Sequence, residues 1–397
     1  MKIERICMAS LFACVVSAVL ITGSFAGITP LSENWYNSYT LQAIAWLRGS
    51  LSLPVDYPHL ELAYYNGGVF VSFPPFPSLL MLPFAAVFGE NAPEYVISVT
   101  ACGLAAVYIY RLGRALGLRA DVSYLLALFS TVGANFLFIS VMGAAVWFFA
   151  QILAFLFTAM AFYYAAKCGR SGKNTYLAAL FLAFAVGCRP FQIIYAPVLL
   201  YFYWRENPAG LIKRTVMYAA PATAVCICYF ALNYARFGNP FEFGHNYLPE
   251  FAYEHDQFSV SYIADNLKSL FRLPFFEGGR LAFHRFNGTA FWIVSPAFLS
   301  LAAHFIFDIF RNRKFNAPAS ALIILIAIHF IILCSHKTMG GWHFGHRYTI
   351  DALPAAALAL CLLWRGRREG LVLALNAPLF ISGAVINLIG TYIILTT

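Results

Sequence analysis

The sequence has few charged residues. Only 11% of its 397 residues are Asp, Glu, Lys or Arg, while 61% are hydrophobic, and the mean hydropathy is +0.71. A soluble domain carries about 25% charged residues. Water therefore cannot be the main solvent of this chain. The composition excludes a soluble globular domain and predicts an all-α, polytopic bundle of transmembrane helices.

Several sites that bind common cofactors are also absent from the sequence. It contains no Walker-type glycine loop and no internal repeat. The nine cysteines lie in or beside apolar runs without metal-ligand or redox spacing, apart from the weak motif Cys226-x-Cys228. The formal net charge of +9 is divided among small groups of basic residues. We therefore expect no nucleic acid partner, no cofactor and no metal site.

Apolar segments long enough to cross a bilayer follow one another along most of the chain. A spanning helix needs about 20 apolar residues, which gives about eleven predicted spans. One pair is short and is separated by Cys188-Arg189-Pro190, where the proline ends the preceding helix or forms a tight hairpin. The predicted spans are 7–28, 92–113, 121–140, 144–166, 174–188, 190–204, 214–234, 289–310, 316–335, 349–364 and 371–395.

The basic residues predict how the chain is oriented in the membrane. Residues 69–89 are apolar but contain four prolines, so we exclude them as a span. Most Lys and Arg then fall in short cytoplasmic loops. This predicts a multi-pass protein of a bacterial-type cytoplasmic membrane, with a cytoplasmic N-terminus and an external C-terminus. It forms one domain, 1–397, with long outer loops at 29–91 and 235–288.

The first outer loop has a pattern of its own. Residues 35–47 predict a helix on the membrane surface, and a short amphipathic helix is predicted to end at Phe88. Most acidic residues fall on the outer side, while the cytoplasmic loops are short. The active site is therefore predicted to be extracytoplasmic.

Clustered cations precede the tenth predicted span. The stretch from His336 to Tyr348 contains three histidines, Lys337, Arg347 and several glycines. Such a stretch can bind a phosphate or pyrophosphate, because Arg347 offers a planar fork of donors and glycines let backbone amides approach closely. The alternative is an interfacial loop that anchors helix ends. A zinc site is disfavoured, since His343-x-x-His346 has no cysteine or carboxylate partner at ligand spacing.

Carboxylates of the first outer loop are candidates for a general base. Glu33 follows the first span directly, and Asp56 and Glu61 lie further along. Attack on an activated sugar carbon requires a carboxylate that takes up a proton. The alternative for Glu33 is a solvated carboxylate at the interface. Arg236, at the exit of another span, can snorkel to the interface or assist in binding a phosphate.

The order of these features resembles the GT-C superfamily of integral-membrane glycosyltransferases, near the protein mannosyltransferases and the lipid A aminoarabinose transferases of glycosyltransferase family 39 type. The resemblance covers most of the chain. Its sequence pieces are residues 62–68 and 73–77, Cys188-Arg189-Pro190, residues 234–244, Ser295-Pro296 and residues 341–348.

The resemblance implies a metal-independent transfer of a sugar from a polyprenyl-phosphate donor to a glycan, lipid or protein acceptor. It implies Glu33 as the base, with Asp56 or Glu61 as alternatives, and a leaving phosphate bound by cations. The implied phosphate-binding residues are Arg347, Lys337, His346 and Arg236, and the implied substrate-binding residues are Trp342, His343, Tyr65 and Glu61.

The chain departs from the family pattern at two points. The family often has Asp-Glu directly after the first span, where this chain has only Glu33 in Glu33-Asn34-Trp35. A basic residue before the double proline is replaced by Ser72-Phe73. Two rival functions therefore stay open: a transporter or flippase of lipid-linked sugars, and a catalytically inactive GT-C-like subunit. Nearly carboxylate-free spans argue against a coupled transporter.

Overall fold

The computed structural model describes residues 2–30, 32–206, 211–252, 257–310 and 316–397, and this part of the chain is mainly helical. The α-helices, numbered α1 to α17 in chain order, are Lys2–Phe25, Ser38–Leu47, Phe76–Phe88, Glu94–Ala115, Ala120–Phe129, Phe136–Val141, Val146–Ala165, Gly172–Cys188, Ala196–Glu206, Leu211–Phe237, Pro249–Ala252, Ile263–Ser269, Phe291–Val294, Ala297–Phe310, Ala317–Cys334, Leu353–Trp364 and Glu369–Thr396. Two antiparallel hairpins pair β1, Leu62–Tyr65, with β2, Gly68–Val71, and β3, Phe275–Glu277, with β4, Arg280–Ala282.

Seven helical segments of the described chain are long and apolar enough to cross a membrane. They are α1, α4, α7, α15, α17, most of α10, and α16 together with the 3-10 turn Arg347–Ala352 that precedes it. Shorter apolar helices are α5, α8 and α14. The predicted class, a polytopic helical bundle, is confirmed. The number of crossings stays a prediction.

The core of the bundle is built around α7 and α16. Nearly all residues of both helices are buried, whereas α10 and α17 expose most of their apolar surface. Helix α16 contains a run of small residues, Ala355, Ala356 and Ala357, all fully buried. Small side chains let neighbouring helices approach closely in a membrane, where dispersion contacts replace the hydrophobic driving force.

The segment between α1 and α4 contains α2, the first hairpin and α3. Helix α2 matches the predicted surface helix in position, but most of its residues are buried against protein. One reason is Glu94, at the start of α4, which accepts hydrogen bonds from the backbone N–H of Thr40 at 3.2 Å and from its hydroxyl at 2.6 Å. The side chain of Asn34 donates to the same carboxylate. These bonds fasten α2 to a membrane helix.

The segment between α10 and α14 contacts the first hairpin. Arg236, near the end of α10, donates to the Val71 carbonyl at 3.2 Å and to the Asn233 side chain at 2.6 Å. Gly244 adopts φ +100°, and a side chain there would meet Phe237 and the backbone of Ser72. The close approach of the two segments thus depends on a glycine. Together they enclose a cavity at one end of the bundle.

Candidate active site

A cavity of about 410 Å³ lies at the end of the bundle where the two long segments meet. Its lining residues lie in these segments or at helix ends that the topology prediction places outside. They come from distant parts of the chain and include Glu61, Ser72, Trp147, Arg189, Glu242, His245, His336, Arg347 and Tyr348. A cavity whose lining is mostly apolar but contains charged groups of both signs is the default candidate for a binding or catalytic site.

Arg347 is the predicted phosphate ligand that lines this cavity. Its side chain is only 8% exposed and lies 5.5 Å from the ring centre of Phe148 and 5.2 Å from that of Tyr348. Its Nε has no hydrogen-bond partner among the described residues. Gly340, at φ +103°, makes room for it, since a Cβ there would lie 2.5 Å from Nε. A buried guanidinium with an unsatisfied donor is suited to an anionic ligand.

Arg189 is a second guanidinium in the cavity wall, and the sequence prediction of the site missed it. Its Nε and Nη2 donate to Oδ2 of Asp351 at 2.9 and 2.8 Å. Its guanidinium lies 5.1 Å from the ring centre of Tyr348, the same ring that Arg347 approaches. The signal was a charged residue between two apolar segments, which is costly in a membrane and needs a reason. From the sequence, Arg189 was predicted only to lie in the turn Cys188-Arg189-Pro190.

Glu61 is the predicted carboxylate that the fold brings to the cavity. Its Oε2 accepts a hydrogen bond from the indole N–H of Trp147 at 2.8 Å, and its backbone carbonyl accepts one from the Ser72 hydroxyl at 3.0 Å. Burial raises the pKa of the Glu61 carboxyl above its ordinary 4.5, while Trp147 and Arg347 act in the opposite direction. The cavity thus contains a carboxyl group and a guanidinium group that interact electrostatically.

Glu33 and Asp56, predicted as the base and its first alternative, do not line the cavity. Both are exposed, and the hydroxyl of Tyr64 donates its one proton to the Asp56 carboxylate, 3.0 Å from each of its oxygens. Glu33 is turned away because its neighbour Asn34 faces inward, where it donates to Glu94 and to the Ala144 carbonyl at 2.9 Å. Of the three predicted carboxylates, the geometry therefore favours Glu61 as the candidate base.

The side chains of two predicted phosphate-binding residues contact other protein groups outside the cavity. Lys337 donates to the backbone carbonyl of Glu250 at 2.9 Å and lies 5.4 Å from the ring centre of Phe251. Arg236 is buried in its contacts with Val71 and Asn233. Neither lines the cavity. Their positions fit a structural role better than phosphate binding.

The other predicted ligands lie around the cavity without lining it. His343 and His346 are fully buried with ring centres 6.0 Å apart, and burial lowers the pKa of His346 to about 3. Trp342 is 37% exposed and packs near Phe138. Tyr65 packs on Tyr247, with ring centres 4.6 Å apart. We find no geometric support for direct substrate contacts by these residues.

Two neutral histidines line the cavity. The ring Nδ1 of His245 lies 3.3 Å from the Ser72 carbonyl, and that of His336 lies 2.7 Å from the Thr338 carbonyl. Burial lowers the pKa of both to about 4, and the charges of Arg189 and Arg347 contribute. The described residues contain no group of three His, Cys, Asp or Glu side chains that could hold a metal ion.

The polytopic helical bundle is similar in fold to solved structures of GT-C type, as the sequence features predicted. The solved structures that resemble it include ArnT from Cupriavidus metallidurans in the apo state, with a TM-score of 0.55 and 12% identity over 98% of this chain and 75% of that chain. ArnT bound to undecaprenyl phosphate matches over the same shares, with a TM-score of 0.55 and 13% identity.

An oligosaccharyltransferase from Archaeoglobus fulgidus in the apo form also matches, with a TM-score of 0.49 and 17% identity over 96% of this chain and 55% of that chain. No protein-family model and no curated protein sequence matches the chain. At such low identity the likeness to ArnT shows the fold, and the chemistry has to be argued from the residues of the cavity.

Proposed function

We propose that this chain is a glycosyltransferase that moves a sugar from a polyprenyl-phosphate donor to an acceptor at the extracytoplasmic membrane face. The observation that carries the proposal is the shared cavity of Arg347 and Glu61, a phosphate-binding cation beside a candidate base. The likeness to ArnT, which has been solved with undecaprenyl phosphate bound, supports a lipid-linked ligand. The absence of a nucleotide-binding loop from the sequence is consistent with such a donor.

The proposed reaction is a direct displacement at the anomeric carbon. A hydroxyl or amine of the acceptor attacks this carbon, its proton passes to the Glu61 carboxylate, and the bond between the anomeric carbon and the phosphate oxygen breaks. The electron pair of that bond stays on the phosphate, which gains one negative charge. Arg347 and Arg189 stabilise this charge as it develops. Inversion is expected, because direct attack by the acceptor passes through no covalent intermediate with the protein.

The rival functions would use the same cation site without chemistry. A flippase or an inactive subunit would bind the lipid phosphate but would not need Glu61. Transfer is therefore to be measured with the purified chain, radiolabelled polyprenyl-phosphate sugars and membrane extracts as acceptors. The Glu61→Gln and Arg347→Ala variants should each lose transfer by about 10²-fold or more, the scale of general-base catalysis.

The matched controls are Glu33→Gln and Asp56→Asn, which change carboxylates outside the cavity in the same way. Both should retain transfer close to that of the wild type. Loss of transfer in Glu33→Gln with full activity in Glu61→Gln would restore the original assignment of the base. Binding of polyprenyl phosphate without transfer to any extract would favour the rivals.

A further inference from the structure

We propose that Asp351 is a positioning residue of the phosphate site, which orients Arg189 directly and Arg347 through Gln151. The inference rests on the proposed function, in which the two arginines bind the anionic head group of a lipid. Asp351 itself lies behind the cavity wall and is only 2% exposed. It therefore acts through other residues and not by contact with the substrate.

The first step is the ion pair between Asp351 and Arg189. Both Nε and Nη2 of Arg189 donate to the same oxygen of Asp351, at 2.9 and 2.8 Å. This contact fixes the plane of the guanidinium beside Tyr348 in the cavity wall. Arg189 is thereby presented to the cavity in one orientation, which lowers the ordering cost of binding an anion.

The second step is the link to Arg347. The amide nitrogen of Gln151, in α7, donates to the other carboxylate oxygen of Asp351 at 3.0 Å and to the backbone carbonyl of Arg347 at 3.1 Å. Gln192 donates to the backbone carbonyl of Asp351 at 3.0 Å. The 3-10 turn Arg347–Ala352 is therefore held at both ends by side chains of neighbouring segments.

The third step concerns charge. Arg189 has its counter-ion in Asp351, whereas Arg347 forms no ion pair among the described residues. Two uncompensated guanidinium groups close to one ring would repel each other in a buried site. Asp351 removes that repulsion in the empty site. The remaining uncompensated charge on Arg347 is then available to the phosphate.

An asparagine at position 351 would disturb this arrangement without changing its shape. Its amide group brings donors where the carboxylate has only acceptors. If these donors face Gln151, two amide nitrogens meet, and Gln151 must turn and release the Arg347 carbonyl. If they face Arg189, the guanidinium loses its acceptor and its counter-ion. Either arrangement moves an arginine of the phosphate site.

The test is the binding of undecaprenyl phosphate to the purified full-length chain in detergent. Asp351→Asn should weaken binding about 10-fold or more, since hydrogen bonds to charged groups are among the strongest. Gln151→Met keeps the ion pair and removes only the link to Arg347, so it should weaken binding about 3-fold. Gln151→Met therefore still tests the inference if the Asp351→Asn variant does not fold. In the background of Arg189→Gln, adding Asp351→Asn should weaken binding by no more than the 3-fold or so expected for Gln151→Met, because only the link to Arg347 is then lost.

The matched control is Asp308→Asn. Asp308 forms a comparable ion pair with Arg367, 2.6 Å long, near the opposite end of α16. This variant should lose stability without a change in undecaprenyl phosphate binding. Unchanged binding in Asp351→Asn and Gln151→Met, or additive effects in the double variant, would overturn the inference. A wild-type chain that does not bind undecaprenyl phosphate would overturn the proposed function as well.

Discussion

At the scale of single residues, Glu61 gives the site a pH dependence. Burial raises the pKa of its carboxyl above 4.5. A base acts in its deprotonated form, so transfer should be full above this raised pKa and should fall as the pH falls through it. The measurement is kcat/KM against pH in wild type and in Glu61→Gln, whose residual rate should lack this limb. A rate that rises on acidification would contradict the assignment.

Gly340 is the residue on which the position of Arg347 depends most closely. In Gly340→Ala the new Cβ would lie 2.5 Å from Nε of Arg347, at a backbone φ of +103°. We expect the guanidinium to shift and undecaprenyl phosphate binding to weaken about 10-fold. Gly341→Ala is the control, because φ there is also positive, +68°, but the added Cβ meets no atom within 4 Å. Equal losses in both variants would attribute the effect to backbone strain alone.

At the scale of elements, Glu94 joins α2 to α4. Its carboxylate accepts bonds from Thr40 and Asn34 in a buried site, so Glu94→Gln should destabilise the protein by about 1–3 kcal/mol. Thermal unfolding in detergent measures this effect. Glu90→Gln, an exposed position four residues earlier, should leave the unfolding temperature unchanged. A similar temperature in both variants would show that the Glu94 contacts contribute little.

The elements also show where a sequence pattern stops being informative. The break at Pro190 was predicted, and the structure has a 3-10 turn there, Pro190–Tyr195. The single helix predicted over 121–140 is instead divided into α5 and α6. Asn135, at this break, donates to the carbonyl of Phe344, and its backbone N–H donates to Ser295. These partners are distant in sequence, so hydrophobic periodicity could not reveal the break.

At the scale of the whole molecule, composition and apolar segments were sufficient to predict a polytopic helical bundle, and the ordered motifs pointed to the GT-C-like fold. The cationic stretch contains Arg347, which lines the candidate cavity. The sequence could not reveal which of the three carboxylates lines the cavity, or that Arg189 lies in the cavity wall. Both depend on which side chain turns inward, and that is decided by contacts with Asn34, Trp147 and Asp351.

The central claim is that a lipid phosphate binds between the two guanidinium groups of this cavity, next to Glu61. It is tested most directly by an experimental structure of the chain with undecaprenyl phosphate in a lipid nanodisc. Phosphate oxygens are expected at hydrogen-bonding distance, about 3 Å, from Arg347 and Arg189. A phosphate bound at Lys337 or Arg236, with the cavity between Arg347 and Glu61 empty, would contradict it.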